Sequence, residues 1–229
     1  MPNACPSCDA VASPPFCAFC GAPLDGDGVS RVDIPVGDKL VAYPMRKEPP
    51  PGQARREGAR GSSRWSPADD GVDVVVASKR ILYFADPALR LREAVARLHF
   101  TARDPDGAAG CIARQEVVGD GEVELFFEVH PGRRRLRLGR RFTLGTTAQV
   151  KELVPWREVA SVPGVGERVQ AELRVRGPVL QGWLDGRQVV QVVDPVLTTG
   201  RCGLRVSSQG EEARVTLHGA GVWLAGGQA

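Results

Sequence analysis

Residues 179–193 read VLQGWLDGRQVVQVV, and the reading of this stretch decides the fold. Asp185-Gly186 stands between two Val- and Leu-rich runs. A two-residue type I′ turn needs positive φ at both central positions, which Asp-Gly tolerates. The turn makes Val179–Leu184 and Arg187–Val193 antiparallel partners. Counting back from it, Leu180, Gly182 and Leu184 face one way, and Gln181 and Trp183 the other. With Leu180 and Leu184 in a core, Trp183 stands on the opposite face.

The same period of two runs outward from the hairpin. Upstream, Ala171, Leu173 and Val175 alternate with Glu172, Arg174 and Arg176. In Glu122–His130, Val123, Leu125, Phe127 and Val129 oppose Glu122, Glu124, Phe126, Glu128 and His130. Arg135-Leu-Arg-Leu138 alternates too, and Val72–Ala77, Ile81–Phe84, Gly200–Ser207 and Arg214–Trp223 are short apolar runs closed by turn residues. Leu91, Ala94, Val95 and Leu98 have helical spacing, but Ala94, Ala96, Leu98, Phe100 and Ala102 fit a strand, and the strand is preferred. Many half-buried strands of this kind predict an all-β chain, a two-sheet sandwich of about ten to twelve strands. The sandwich is expected over residues 66–229.

The order of features in Val169–Val215 resembles the closing strands of concanavalin-A-like, laminin-G-type jelly rolls. Those end in a strand, a turn, a strand reading into Asp-Gly, a return strand, an Asp and a G-x-x-G-L strand. Here these are Glu172–Arg176, Gly177-Pro178, Val179–Leu184, Asp185-Gly186, Arg187–Val193, Asp194 and Gly200-Arg-Cys-Gly-Leu-Arg-Val206. Asp106–Arg114 is similar to an earlier strand of that family that ends in an Arg. The resemblance implies the fold; the fold carries lectins, hydrolases, adhesion modules and plain scaffolds, so it does not fix a function.

The front of the chain differs in kind. Cys5-Pro-Ser-Cys8 and Cys17-Ala-Phe-Cys20-Gly21 are two C-x-x-C pairs within the first 24 residues. Each can form a turn that aims two thiolates at one point, and two such turns complete a tetrahedral S4 shell for one structural Zn²⁺. Two disulfides are the alternative and need an oxidising compartment. The segment resembles the short zinc ribbons at the N-termini of many bacterial and archaeal proteins. That resemblance implies a metal site over residues 1–24, a ribbon that mediates protein–protein contact, and nothing about process. Residues 25–65 are read as a linker with short strands, because 44–64 is rich in Pro, Gly and Arg; those 21 residues are not expected to enter the core.

Composition narrows the field further. The 229 residues include 27 Gly and 18 Pro, which argues for turns and against a helical bundle. No stretch is long and apolar enough for a membrane helix. The first residues show no secretory pattern, so a reducing, cytoplasmic location is expected, with Cys111 and Cys202 as buried thiols. A net charge of +3 implies no polyanion partner.

Three functional readings follow. In the first, the sandwich is non-catalytic and binds a glycan or a protein surface through Trp183, which can stack on a pyranose ring, and Gln181. This supposes that Trp183 lies on the concave face. In the second, Glu122 and Glu124, two apart on one strand, approach the carboxyl spacing of a retaining glycoside hydrolase. That pattern is broken by Phe126 where a further acid is expected. In the third, the ribbon and the arginines of Arg133–Arg141 contact nucleic acid. Salt bridging of those arginines to Glu122, Glu124 and Glu128 across the sheet is the simpler expectation.

Overall fold

The computed structural model describes residues 33–42, 45, 63–77, 88–145 and 147–226, and the backbone of 3–4, 11–12, 43, 54–57 and 80–83. Among the described residues there is no α-helix. β1 (Asn3–Ala4) and β2 (Val11–Ala12) form a short antiparallel ladder of their own. The remaining strands are β3 (Val36–Tyr43), β4 (Ala54–Glu57), β5 (Ser63–Ala68), β6 (Gly71–Val76), β7 (Arg80–Tyr83), β8 (Ala94–Ala102) and β9 (Gly107–Val118). They continue with β10 (Gly121–His130), β11 (Arg135–Leu144), β12 (Thr147–Glu158), β13 (Arg168–Arg176), β14 (Val179–Leu184), β15 (Arg187–Val193), β16 (Arg201–Ser208) and β17 (Ala213–Ala225).

These build two antiparallel sheets, as expected of a jelly-roll sandwich. One has the order β12-β11-β10-β9-β16-β7-β4, the other β15-β14-β13-β8-β17-β6-β5, with β3 paired to the second half of β17. The alternating residues meet between them. Leu125, Phe127 and Val129 of β10 join Leu98 and Phe100 of β8, Leu173 and Val175 of β13, and Val215 and Leu217 of β17 in one core. Each such burial is worth roughly 1.5–3 kcal/mol. Gly182 lets the sheets close: a Cβ there would lie 2.6 Å from the Phe127 ring.

The hairpin that opened the reading is built as expected. Asp185 and Gly186 both have positive φ, 46° and 76°. Leu180 and Leu184 face the core, while Gln181 and Trp183 face outward. Residues 94–102 form a strand, with Ala94, Ala96, Leu98, Phe100 and Ala102 fully or almost fully buried. Cys111 and Cys202 are both buried and form no disulfide, and burial holds both thiols protonated, pushing Cys202 up to about 11.

The short strands allowed for in 25–65 are present, but the expectation that 44–64 stays out of the core needs correction. The stretch 25–65 contributes three strands that are hydrogen-bonded into the sandwich: β3 on β17, β4 on β7 and β5 on β6. Met45, inside the segment assigned to the linker, is buried in the core. Its Pro- and Gly-rich composition was a poor guide because those residues fall between the strands, at positions 44, 49–52, 58 and 61, and not in them. Strand β12 had no expectation at all. It lies at a sheet edge, mostly exposed, so no buried face imposes alternation on it, and its register on β11 slips near Pro155.

At one end of the sandwich a bulge organises the loops. Arg114 has φ of 52°, and around it one extra residue of β9 interrupts the registers with β10 and β16. Its side chain is almost fully buried. It donates to the carbonyls of Arg92 (2.7 Å), Leu197 (2.6 Å) and Gly177 (2.6 Å), which belong to three separate connections. Gly200 packs against the same bulge; a Cβ on it would lie 2.5 Å from the Arg114 carbonyl carbon. Arg114→Met strands those buried acceptors, so urea unfolding is expected to show a loss on the order of 3 kcal/mol. A loss below about 1 kcal/mol would contradict the role given to this clamp.

Candidate functional site

The two outward faces of the sandwich carry different chemistry. On the β13–β15 face, Trp183 is half-buried and held in place. The Arg174 guanidinium carbon lies 3.7 Å from its ring centroid, and its indole N–H donates to Gln181 Oε1 at 3.0 Å. Gln181 in turn donates to Gln191 Oε1 at 2.8 Å. Arg174 and Arg97 both pair with the buried Glu172, at 3.1 and 3.0 Å, and Gln170 donates to the same carboxylate at 2.7 Å. Arg97 and Lys39 then flank Trp223, at 4.7 and 5.3 Å from its ring centroid. The result is a surface of two tryptophans, three partly exposed glutamines (Gln170, Gln188, Gln191) and fixed guanidinium groups; Gln181, predicted to touch ligand, is fully buried and serves to hold Trp183 and Gln191. Gln188 and Gln191 stay partly exposed beside Trp183, and Gln191 Nε2 has no partner among the described residues.

On the β9–β12 and β16 face, Glu124, Phe126, Glu128 and His130 point away from the core yet are almost wholly shielded from solvent. Salt bridging across the sheet was expected here, but not so complete a burial. Glu128 is instead fully enclosed, held by Arg137 Nη2 at 2.7 Å, Arg205 Nε at 3.3 Å and the Ser207 hydroxyl. Arg205 also pairs with Glu124 at 3.4 Å. Phe126, which stood where a further acid was expected, is a platform for the cations: Arg205 lies 4.2 Å and Arg137 5.1 Å from its ring centroid. Arg137 also stacks on Trp156 at 4.5 Å, beside Arg135 at 4.4 Å. His130 accepts from the Arg133 amide through Nδ1 at 3.2 Å and meets Trp156 edge-on. Burial, reinforced by Arg135 and Arg133, holds its pKa down, so it is neutral.

This arrangement bears directly on hydrolysis. Burial pushes the Glu128 carboxyl up, but the charges of Arg205 and Arg137 and the bond from Ser207 outweigh it and hold its pKa at about 2. A glycosidic acid needs the opposite, a carboxyl raised to hold its proton. Glu122 and Glu124 share this face as expected, with Glu124 committed to Arg205. The arginines of Arg133–Arg141 do not form one surface. Arg135 and Arg137 stack on Trp156, whereas Arg140 pairs with the buried Asp194 at 2.8 Å on the other side of the strand. The salt-bridged sheet face that was expected is therefore present between Glu128 and Arg137, which stand opposite each other in register. Arg205, which the sequence reading passed over, completes it; only the β9–β16 pairing brings it across.

Among the described residues no group of three or more His, Cys, Asp or Glu side chains is placed to hold a metal. Cys5, Cys8, Cys17 and Cys20 lie outside the described residues.

No protein-family model matches the chain, and no curated protein matches it in sequence. Its fold is shared by solved structures. A Bacillus subtilis protein of unknown function with a galectin-like fold is 13% identical and aligns over 86% of this chain and all of its own, with a TM-score of 0.61. Carbohydrate-binding module CBM66 of Bacillus subtilis is 15% identical over 73% of this chain and 96% of its own, with a TM-score of 0.51. A Bacillus licheniformis β-glucanase is 7% identical over 80% and 97%, with a TM-score of 0.52. At these identities the likeness is one of fold.

Glu128→Gln is expected to destabilise the protein at pH 7 by about 3–5 kcal/mol, because it removes the fully buried anion that Arg137 and Arg205 share and leaves them only the longer contacts to Glu152 and Glu124. The depressed pKa fixes the sign of the pH dependence. The carboxylate contributes in full above the unfolded value near 4.3 and loses its contribution as pH falls towards about 2. The gap between wild type and variant in urea unfolding should therefore narrow steadily between about pH 5 and pH 3; a gap independent of pH would contradict the ion-pair account.

Proposed function

We propose that the protein is a non-catalytic, zinc-stapled binding module whose sandwich holds a glycan on the β13–β15 face. The observation that carries this reading is the setting of Trp183. Its ring is fixed before any ligand arrives by Arg174 on its face and Gln181 on its N–H, and it keeps part of its surface in solvent beside glutamine amides. Sugars present an apolar C–H face for stacking and hydroxyls that suit planar amides. A ring already locked loses little entropy on binding. The opposite outward face supports the reading by contrast, since its polar groups are closed to solvent and committed to each other. The carbohydrate-binding module and the β-glucanase that share the fold show that this scaffold serves sugar chemistry elsewhere.

The metal belongs to the front of the chain. Cys5, Cys8, Cys17 and Cys20 would hold one Zn²⁺, and four thiolates suit a closed, structural site. The β1–β2 ladder pairs Asn3 with Ala12 and Ala4 with Val11, on either side of the first Cys pair in sequence. The ion would supply folding energy to a segment too small to build a core, leaving the ribbon as a contact surface for a protein partner. Reduced thiols imply a cytoplasmic location.

A glycan array probed with wild type and Trp183→Ala tests the first claim. Wild type should bind a set of neutral oligosaccharides, and the variant should bind them at least about tenfold more weakly, the loss of one stacking contact. Retained binding in the variant, or no binding by wild type to any glycan, would overturn it. Metal analysis of purified protein should give about one zinc per chain, falling below half in Cys17→Ser; zinc-free protein with oxidised cysteines would overturn the second claim.

A further inference from the structure

The end of the sandwich organised by Arg114 also encloses space. Residues 90–93, the Gly177-Pro178 turn and residues 195–198 surround a cavity of about 880 Å³, with residues 224–226 along its rim. No residue of the Trp183 surface lines it. Its size lies within the ordinary range for small-molecule sites, about 300–1,000 Å³, and far exceeds what a single ion needs.

The lining is charged unevenly. Among the described residues, Arg92, Arg114 and Arg176 face it with Glu93 as the acidic side chain of the lining, and Arg90 stands at its edge with a partner of its own. Arg114 is the unusual member, because its guanidinium is buried and its hydrogen bonds go to three backbone carbonyls, with Glu93 and Asp194 acting on it only through space. Carbonyl dipoles satisfy its N–H groups, and the two carboxylates offset its charge only at a distance. Arg176 and Glu93 are 3.7 Å apart and both roughly half-exposed, a weak pair that a competing anion can open. Arg92 is exposed and has no ion pair among the described residues. A concave site with this surplus of positive charge draws anions, and its low-dielectric walls strengthen the effect. Leu91, Leu197 and Pro178 supply apolar wall between the charges, which a free inorganic ion would not use.

We propose that this cavity is a second ligand site, separate from the Trp183 surface, that takes a carboxylated saccharide with its carboxylate toward Arg92 and Arg176. The saccharide half of this proposal rests on the glycan reading above; the carboxylate half rests on the cavity alone.

Calorimetric titration of the full-length protein separates the two. The probes are digalacturonate, a neutral galactose disaccharide of the same size, and inorganic phosphate. The proteins are wild type, Arg92→Ala/Arg176→Ala and Trp183→Ala; both arginine side chains are exposed, and melting temperature verifies the fold of each variant. Digalacturonate should bind wild type and Trp183→Ala alike and weaken at least tenfold in the double arginine variant. It should weaken similarly between 50 and 500 mM salt, as about one screened ion pair per arginine requires. Binding of the acid disaccharide with the glycan array blank would support this site and overturn the Trp183 reading. Digalacturonate binding lost in Trp183→Ala and kept in the arginine variant would overturn the cavity and leave the Trp183 reading standing. Phosphate competing as tightly as digalacturonate, equal arginine-dependent binding of the neutral disaccharide, or no binding of digalacturonate at all would each overturn the proposal.

Discussion

The arrangement depends on a buried arginine. Arg114 sits in a bulge of the β9 strand, in a left-handed conformation that non-glycine residues seldom adopt, and spends its guanidinium on the carbonyls of Arg92, Gly177 and Leu197. Two stacked sheets bury apolar surface well enough without it, but nothing in that burial sets the paths of the connections at their ends. Loops carry obligatory backbone polar groups that must be bonded or solvated. Here one side chain with several donors at fixed angles bonds three loops at once, and the close packing of Gly200 against the bulge leaves it no alternative position. The cavity at this end exists because the loops are held apart as well as together.

A second constraint acts on the β9–β12 face. Outward polar residues of a sandwich are ordinarily wet, yet here two glutamates and two arginines are desolvated around Phe126. Such a network is a poor source of net stability, since the attraction is set against the loss of hydration of each ion. Its value is in geometry: the carboxylates of β10 can accept only donors placed by β11 and β16, so strand order and register are checked by charge as well as by apolar contact. The same commitment removes these groups from acid–base chemistry. On the other sheet the ions do a different job, since Arg174, tied to Glu172, fixes the plane of Trp183 and leaves its polar surroundings partly in water.

Much of this was legible in the sequence. Alternation in Glu122–His130 and Val169–Val175 gave the sandwich, and Asp185-Gly186 gave a hairpin with the correct faces. The order of turns around Asp194 and the Gly200–Val206 strand gave the jelly roll, with a helical spacing at 91–98 correctly set aside. What was not legible had a common cause, that the deciding partner is remote in sequence. Arg205 meets Glu124 and Glu128 only through the pairing of β16 with β9, so the acidic strand read as salt-bridged to the Arg133–Arg141 strand and the part of Arg205 was not seen. Strand β12 lies at an edge and has no buried side to impose a pattern, and β3 is recruited by the far end of the chain, β17. Arg114 was noted as the end of a strand, but its acceptors come from three loops that no local pattern connects.

The most direct test of the central claim reads the four tryptophans separately. Their indole N–H resonances, assigned by single Trp→Phe variants and followed by NMR during titration with the neutral oligosaccharides, report which face a sugar touches. The account predicts that the Trp183 signal moves and saturates while that of Trp156, on the opposite sheet, stays in place. A moving Trp156 signal beside a static Trp183 would put the ligand on the face described here as closed, and would contradict it.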